Sequence, residues 1–356
     1  MPPVDLDIAR LGEEMEAYGD RLRSVMERLC AAGEISRGVT PREVVYREDK
    51  LTLYRYLPDP SAKVDLNPVP LLMVYALVNR PYVTDLQADR SMIRQLLDAG
   101  QPVYLIDWGY PDSADRFLTL DDYVNGYIDR CVDRLCQEHD VEQVNLLGIC
   151  QGGVLSLCYG ALHPERVRNL VTMVTPVDFK TPDNMLSAWV QHLDVDLLVD
   201  TEGNIPGELL NWTFLSLKPF SLGGRKYVDT LERLQDDEAL ANFLRMEQWI
   251  FDSPDQAGEA FRQFIKQFYQ QNGLIRGEVE LGGQRVELER IRCPLLNIYA
   301  EKDHLVPPAA STALRGRTGS SDYSELAFPV GHIGIYVSAR AQSQVPQAVG
   351  AWLNER

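Results

Sequence analysis

Positive charge is scarce in this chain: 35 Lys and Arg stand against 52 Asp and Glu, a net charge of -17. That balance argues against a nucleic-acid-binding protein. Long apolar runs are missing too. No stretch approaches the roughly 18 residues a membrane-spanning helix needs, so no membrane span is expected. The start, Met1-Pro2-Pro3-Val4-Asp5, has neither a basic segment nor an apolar one, so no secretory signal is expected. Cysteine is sparse: Cys30, Cys131, Cys136, Cys150, Cys158 and Cys293, with no CxxC pair and no zinc-like spacing. Neither a metal nor a cofactor is expected, and free thiols fit a reducing cytoplasm. No internal repeat or low-complexity stretch is evident.

Against these absences one short segment stands out, Gly148-Ile149-Cys150-Gln151-Gly152-Gly153. It follows the apolar run Val144 to Leu147 and precedes a helix-like run from Val154. A strand that turns sharply into a helix can present a nucleophile at its apex if small residues let the backbone pass. This is the Gly-x-Ser-x-Gly nucleophile elbow with Cys in place of Ser. The helix N-terminus beneath it favours a thiolate and a developing oxyanion. A bland alternative is a glycine-rich turn around an inert buried Cys.

Two later segments weigh against that alternative. Ile298-Tyr299-Ala300-Glu301-Lys302-Asp303-His304 places an acid just beyond an apolar strand, Pro294 to Ala300. Phe328-Pro329-Val330-Gly331-His332-Ile333-Gly334 places a histidine in a glycine-flanked loop. Nucleophile, acid, histidine is the α/β-hydrolase order. Cys150 is therefore the expected nucleophile. His332 would take its proton, and Asp303 would orient His332 or act on a second substrate. His304 is a possible extra base and Asp107, at a strand end, an alternative acid. An oxyanion hole needs two backbone N–H groups. Gln151, next to the nucleophile, should supply one. Val78, in the loop Leu77-Val78-Asn79-Arg80, should supply the other, with Asn79 as an alternative.

The rest of the pattern alternates strand and helix. A hairpin is expected from Val44–Tyr46 and Leu51–Tyr56. Strands follow at Pro70–Ala76, Val103–Asp107, Val144–Ile149 and Leu170–Val174. Helices are expected over about 87–99, about 120–138 and from the elbow to about Leu162. Continuous apolar strands with helices between them predict a mostly parallel sheet covered on both faces, an α/β-hydrolase fold. The alternation stops near Thr175-Pro176 and resumes near Cys293-Pro294. The helical, aromatic-rich interval carries Trp189, Trp212, Phe214, Phe220, Phe243, Trp249, Phe251, Phe261, Phe264 and Phe268. The expected organisation is a catalytic core, 1–178 and 291–356, with a helical cap, 179–290. Most of these aromatics should be the cap's own core, and a few should line an acyl channel or lid. At the start, Ile8, Leu11, Met15, Tyr18, Leu22, Val25 and Leu29 form an apolar stripe of a helix over about 5–31. It packs either on its own domain or on a partner helix.

Taken together, the elbow, the Glu301–Pro307 and Gly331–Gly334 segments, Val74–Tyr82 and Asn211-Trp212-Thr213-Phe214 resemble the polyhydroxyalkanoate synthases. The length and short N-terminal region are similar to the class III catalytic subunits. The resemblance covers nearly the whole chain. It implies an acyltransferase that polymerises (R)-3-hydroxyacyl-CoA, mainly 3-hydroxybutyryl-CoA, with release of CoA. It implies acylation of Cys150, activation by His332, and help from Asp303 in activating the 3-hydroxyl of the incoming unit. It also implies a second synthase subunit of the PhaE type, a homo-oligomer, and a place at the surface of polyester granules in the cytoplasm. Two other readings compete. One is a cysteine hydrolase of the dienelactone-hydrolase or thioesterase type, usually a shorter chain. The other is a non-enzymatic granule-coat protein on a degenerate hydrolase fold.

Overall fold

A computed structural model describes residues 38–62, 64–217 and 237–356. The amphipathic stripe over about 5–31, Cys30 and Phe220 lie outside the described residues. The frame is an eight-stranded sheet: β1 (Arg42–Glu48), β2 (Leu51–Tyr56), β3 (Leu71–Val74), β4 (Val103–Asp107), β5 (Val144–Ile149), β6 (Val167–Met173), β7 (Leu295–Ala300) and β8 (Tyr323–Phe328). Their order across the sheet is β1-β2-β4-β3-β5-β6-β7-β8. β1 and β2 form the expected antiparallel hairpin, and β2 is antiparallel to β4. Every pairing from β4 onward is parallel.

Burial explains the order. β3, β4 and β5 are buried at every position, as central strands covered on two faces must be. β1 and β8, at the two edges, are mostly exposed or half-buried. Two apolar clusters fill the two faces. One gathers Leu72, Val74, Ile106, Leu146, Val154 and Leu157 with the helix α2 (Asp129–His139). The other gathers Leu71, Met73, Leu105, Leu147 and Ile298 with α1 (Met92–Asp98).

The expected helix over about 87–99 begins later, at Met92. Ser91 caps it by accepting from the Arg94 N–H, and short strands at Asp85–Gln87 and Arg90–Ser91 occupy the residues before it. The helix expected over about 120–138 is an α-helix only from Asp129. Its first part, Asp122–Ile128, is wound as a π-helix.

After the elbow comes α3 (Gln151–Leu162), buried along its whole length. Beyond β6 the chain leaves the sheet. It builds α4 (Met185–Val190), α5 (Val195–Glu202), α6 (Gly207–Ser216), α7 (Asp237–Phe251) and α8 (Gly258–Gln263). Asn184 caps α4 and Asp194 caps α5, each through a side-chain oxygen. Leu186, Val190, Val195, Val199, Ile205 and Phe261 form a separate small cluster here. The chain re-enters the sheet at β7 and closes with α9 (Ala339–Asn354) against α1. Among the described residues no helix is long and apolar enough to cross a membrane.

Candidate active site

Open parallel sheets present their carboxyl ends to ligands where the strand order reverses. Here that edge carries three of the residues singled out in the sequence. Cys150 follows β5, Asp303 follows β7 and His332 follows β8. Cys150 has φ 55° and ψ -121°, a conformation an L-residue adopts only under constraint. The constraint is visible. The Cys150 N–H bonds the Met173 carbonyl at 2.9 Å, and the Cys150 carbonyl accepts from the Gly153 and Val154 amides. A Cβ at position 152 would be driven into the Val74 carbonyl, and one at 153 into the Thr175 side chain. The two glycines are there because β3 and the end of β6 pass too close for anything larger. Val174, beside Thr175, is itself held at φ 46°.

Asp303 and His332 meet. His332 Nδ1 lies 2.7 Å from Asp303 Oδ2. The other carboxylate oxygen, Oδ1, accepts from the Leu305 and Val306 N–H groups, each at 2.9 Å. Both oxygens are thus engaged, and the Asp303 side chain is only 1% exposed. The His332 ring lies close enough to Cys150 for the sulfur to act on its charge. Burial works against a charge on His332, but the Asp303 carboxylate and the Cys150 sulfur outweigh it and raise its pKa to about 10. Cys150 remains partly exposed, within reach of a ligand. The other described cysteines differ. Burial pushes the Cys131, Cys158 and Cys293 thiols up to about 12, where they stay protonated and unreactive.

Other sequence candidates are placed apart from this contact. Asp107 accepts from Arg80 Nη2 at 2.7 Å and from the Gly109 N–H at 3.0 Å, so it serves as the partner of Arg80. His304 is half-buried beside Asp303, and it is Asp303 that holds His332. The loop after β3 comes close to the elbow, and the Gln151 side chain accepts from the Leu77 N–H at 3.1 Å. Gln151 opens α3, so its own amide has no carbonyl four residues back in the helix to bond. Val78 is the next residue beyond the anchored Leu77.

Three tyrosines within reach of a charge on Cys150 escaped the sequence reading: Tyr75, Tyr336 and Tyr269. Tyr75 and Tyr336 lie buried with their hydroxyls 3.5 Å apart and rings edge to face. Both are close enough to Cys150 for a charge on its sulfur to act on them. Tyr75 ends an apolar strand and Tyr336 follows His332 by one helical turn, the only hint the sequence carries.

The strand order, the strained elbow and the acid–histidine contact are those of an α/β-hydrolase-type protein. A family model described as the alpha/beta hydrolase fold matches residues 69–339. Among solved structures, the metagenome-derived lipolytic enzymes LipS and LipT give a chain with TM-score 0.51 at 16% identity, covering 84% of this chain and 100% of that one. Paleococcus ferrophilus monoacylglycerol lipase gives TM-score 0.50 at 17% identity, over 85% and 98%. These likenesses concern the fold alone. Among curated proteins, the poly(3-hydroxyalkanoate) polymerase subunit PhaC of Allochromatium vinosum is 67% identical over 356 residues, 100% of both chains. That of Thiocystis violacea is 64% identical, again over 100% of both. That of Synechocystis is 52% identical over 95% of this chain and 91% of its own. The chain belongs to the family of poly(3-hydroxyalkanoate) polymerase subunits PhaC, enzymes of the acyltransferase class.

Proposed function

We propose that this chain polymerises (R)-3-hydroxyacyl-CoA, chiefly 3-hydroxybutyryl-CoA, through an acyl thioester on Cys150. The observation that carries the reading is the buried Asp303–His332 hydrogen bond beside the strained elbow at Cys150, at the carboxyl edge of the sheet. A cationic His332 stabilises negative charge on the sulfur it faces. The Cys150 thiolate attacks the substrate thioester, and the oxyanion is received by the Gln151 and Val78 amides. When the tetrahedral intermediate collapses, the C–S bond to CoA breaks and His332 gives its proton to the departing thiolate. Neutral His332 then takes the proton of the next unit's 3-hydroxyl as that oxygen attacks the acyl-Cys150 carbonyl; the C–S bond to Cys150 breaks, the acyl group passes to the oxygen as an ester, and the Cys150 thiolate returns opposite cationic His332.

Cysteine suits this cycle. Exchange between thioesters is nearly balanced, and transfer from a thioester to an alcohol is downhill. Asp303 orients His332, since its carboxylate is buried and both oxygens are already engaged. Residues 179–290 serve as the cap over this edge. Its exposed Met185, Trp189, Leu209 and Trp212 suit an apolar product, and the enzyme works at a polyester granule in the cytoplasm with a PhaE-type second subunit. The protein holds no resident cofactor in this scheme.

The test is CoA release from (R)-3-hydroxybutyryl-CoA, with the acyl product separated by size, with and without a candidate partner subunit. Polymer is the expected product, and Cys150→Ala lowers CoA release at least about a thousandfold. Monomeric acid as sole product would replace the polymerase reading with the cysteine-hydrolase one. Near-parental turnover of the variant would remove Cys150 as nucleophile.

A further inference from the structure

The loop that follows β3 is held from two sides. On the core side Leu77 donates its N–H to the Gln151 side chain. Arg80 reaches Asp107 and the Gly109 carbonyl, each at 2.7 Å. On the other side stands the C-terminal end of α7. Trp249, only 2% exposed, donates its indole N–H to the Arg80 carbonyl at 2.7 Å. Asn79 donates its side-chain amide to the Ile250 carbonyl at 3.1 Å, with Ser253 Oγ at 3.5 Å. Asn79 also sits at φ 57°, in the left-handed region. A non-glycine residue there costs on the order of 1 kcal/mol and persists only where its surroundings fix it. Here the end of α7 does so.

We propose that Asn79 and Trp249 are positioning residues for the oxyanion hole, through which the seated end of α7 fixes the Val78 N–H beside that of Gln151. The inference rests on the reading of Val78 and Gln151 as the oxyanion donors. Val78 stands between Leu77, tied to the elbow, and Asn79, tied to α7. A shift of α7 therefore moves one donor relative to the other while leaving the Cys150–His332–Asp303 contact intact. Acyl transfer then requires α7 in place, because a hole with one misplaced donor stabilises the tetrahedral intermediate poorly.

The experiment uses the purified full chain and variants Asn79→Gly, Trp249→Phe and Val78→Pro. Glycine keeps the positive φ and removes the amide. Phenylalanine keeps most of the ring and removes the N–H. Proline removes the Val78 donor itself. Single-turnover CoA release from (R)-3-hydroxybutyryl-CoA is compared with alkylation of Cys150 by iodoacetamide, which forms no oxyanion. Asn79→Gly and Trp249→Phe are each expected to slow CoA release about tenfold or more, and Val78→Pro about a hundredfold. KM, alkylation rate and thermal midpoint should stay near the parent's. Asn79→Gly and Trp249→Phe within twofold of the parent, with Val78→Pro impaired, overturns the clamp and leaves the donor reading standing. An active Val78→Pro overturns the donor reading, and the clamp with it. Equal losses in CoA release and alkylation also overturn the clamp, since the whole site would then have moved.

Discussion

The carboxyl edge of the sheet and the helices α4 to α8 solve opposite problems. At the edge, polar groups are fixed several times over. Asp303 has three hydrogen-bond donors or partners on two oxygens, and Cys150 is held by its amide, its carbonyl and two glycines that admit no Cβ. On the helices, large apolar side chains face outward. Leu197 is 64% exposed, Trp212 59% and Met185 50%. A reacting centre gains from preorganisation, because atoms held in place need not be reorganised as charge develops. A surface meant for something apolar gains from keeping its side chains uncommitted.

That contrast can be broken most severely at Asp303. Asp303→Asn is expected to slow both the first acylation and chain extension by about 100- to 10,000-fold, in step. The check is single-turnover acylation beside steady-state polymer formation. A loss confined to extension would put Asp303 on the incoming alcohol instead of on His332.

The next effect lies where the helices meet the core. Phe268 is fully buried, stacked on Phe264 at 4.8 Å and edge-on to Phe179 at 5.9 Å. Phe268→Ala should cost about 3–5 kcal/mol of stability in denaturant titration. A cost below about 1 kcal/mol would show that the packing there is loose.

A pH series sharpens the electrostatic side. His332 has its pKa raised from 6.5 to about 10 in the folded chain, so its proton favours the native state. That contribution is complete below about pH 6.5 and is lost as pH rises through about 10. His332→Gln should therefore be less stable than the parent by about 1–3 kcal/mol at pH 6. The gap should narrow through the alkaline range, and a gap independent of pH would contradict the charged pair. The smallest effect belongs to the outward face. Trp212→Gln should change stability by no more than about 0.5 kcal/mol, measured by the same titration.

Much of the edge was legible in the sequence because its elements are nearly context-free. β3 is an unbroken apolar run and β5 an apolar one broken only by Asn145 and Gly148, the elbow is bracketed by glycines, and Asp303 and His332 fall in the order the fold requires. What escaped depends on contacts between distant segments. β8 is a half-exposed edge strand whose pattern, Tyr-Ser-Glu-Leu-Ala-Phe, gives no clear period. α9 carries Pro346 inside it and Gly350 against Ala99, residues that locally speak against a helix. The start of α1 was misplaced because the Ser91 cap competes with a longer apolar pattern. The Tyr75–Tyr336 contact joins two segments 261 positions apart, and nothing local to either segment says that they meet.

One feature of the topology bears on how the protein comes into being. Cys150 leaves the ribosome nearly half a chain before Asp303 and His332, and β7 and β8, which carry those two into place, join the sheet last in sequence. Pairings so distant along the chain form late. A nascent chain thus carries the elbow cysteine well before the histidine that faces it. In the proposed scheme the reacting site can therefore be complete only when synthesis is nearly finished.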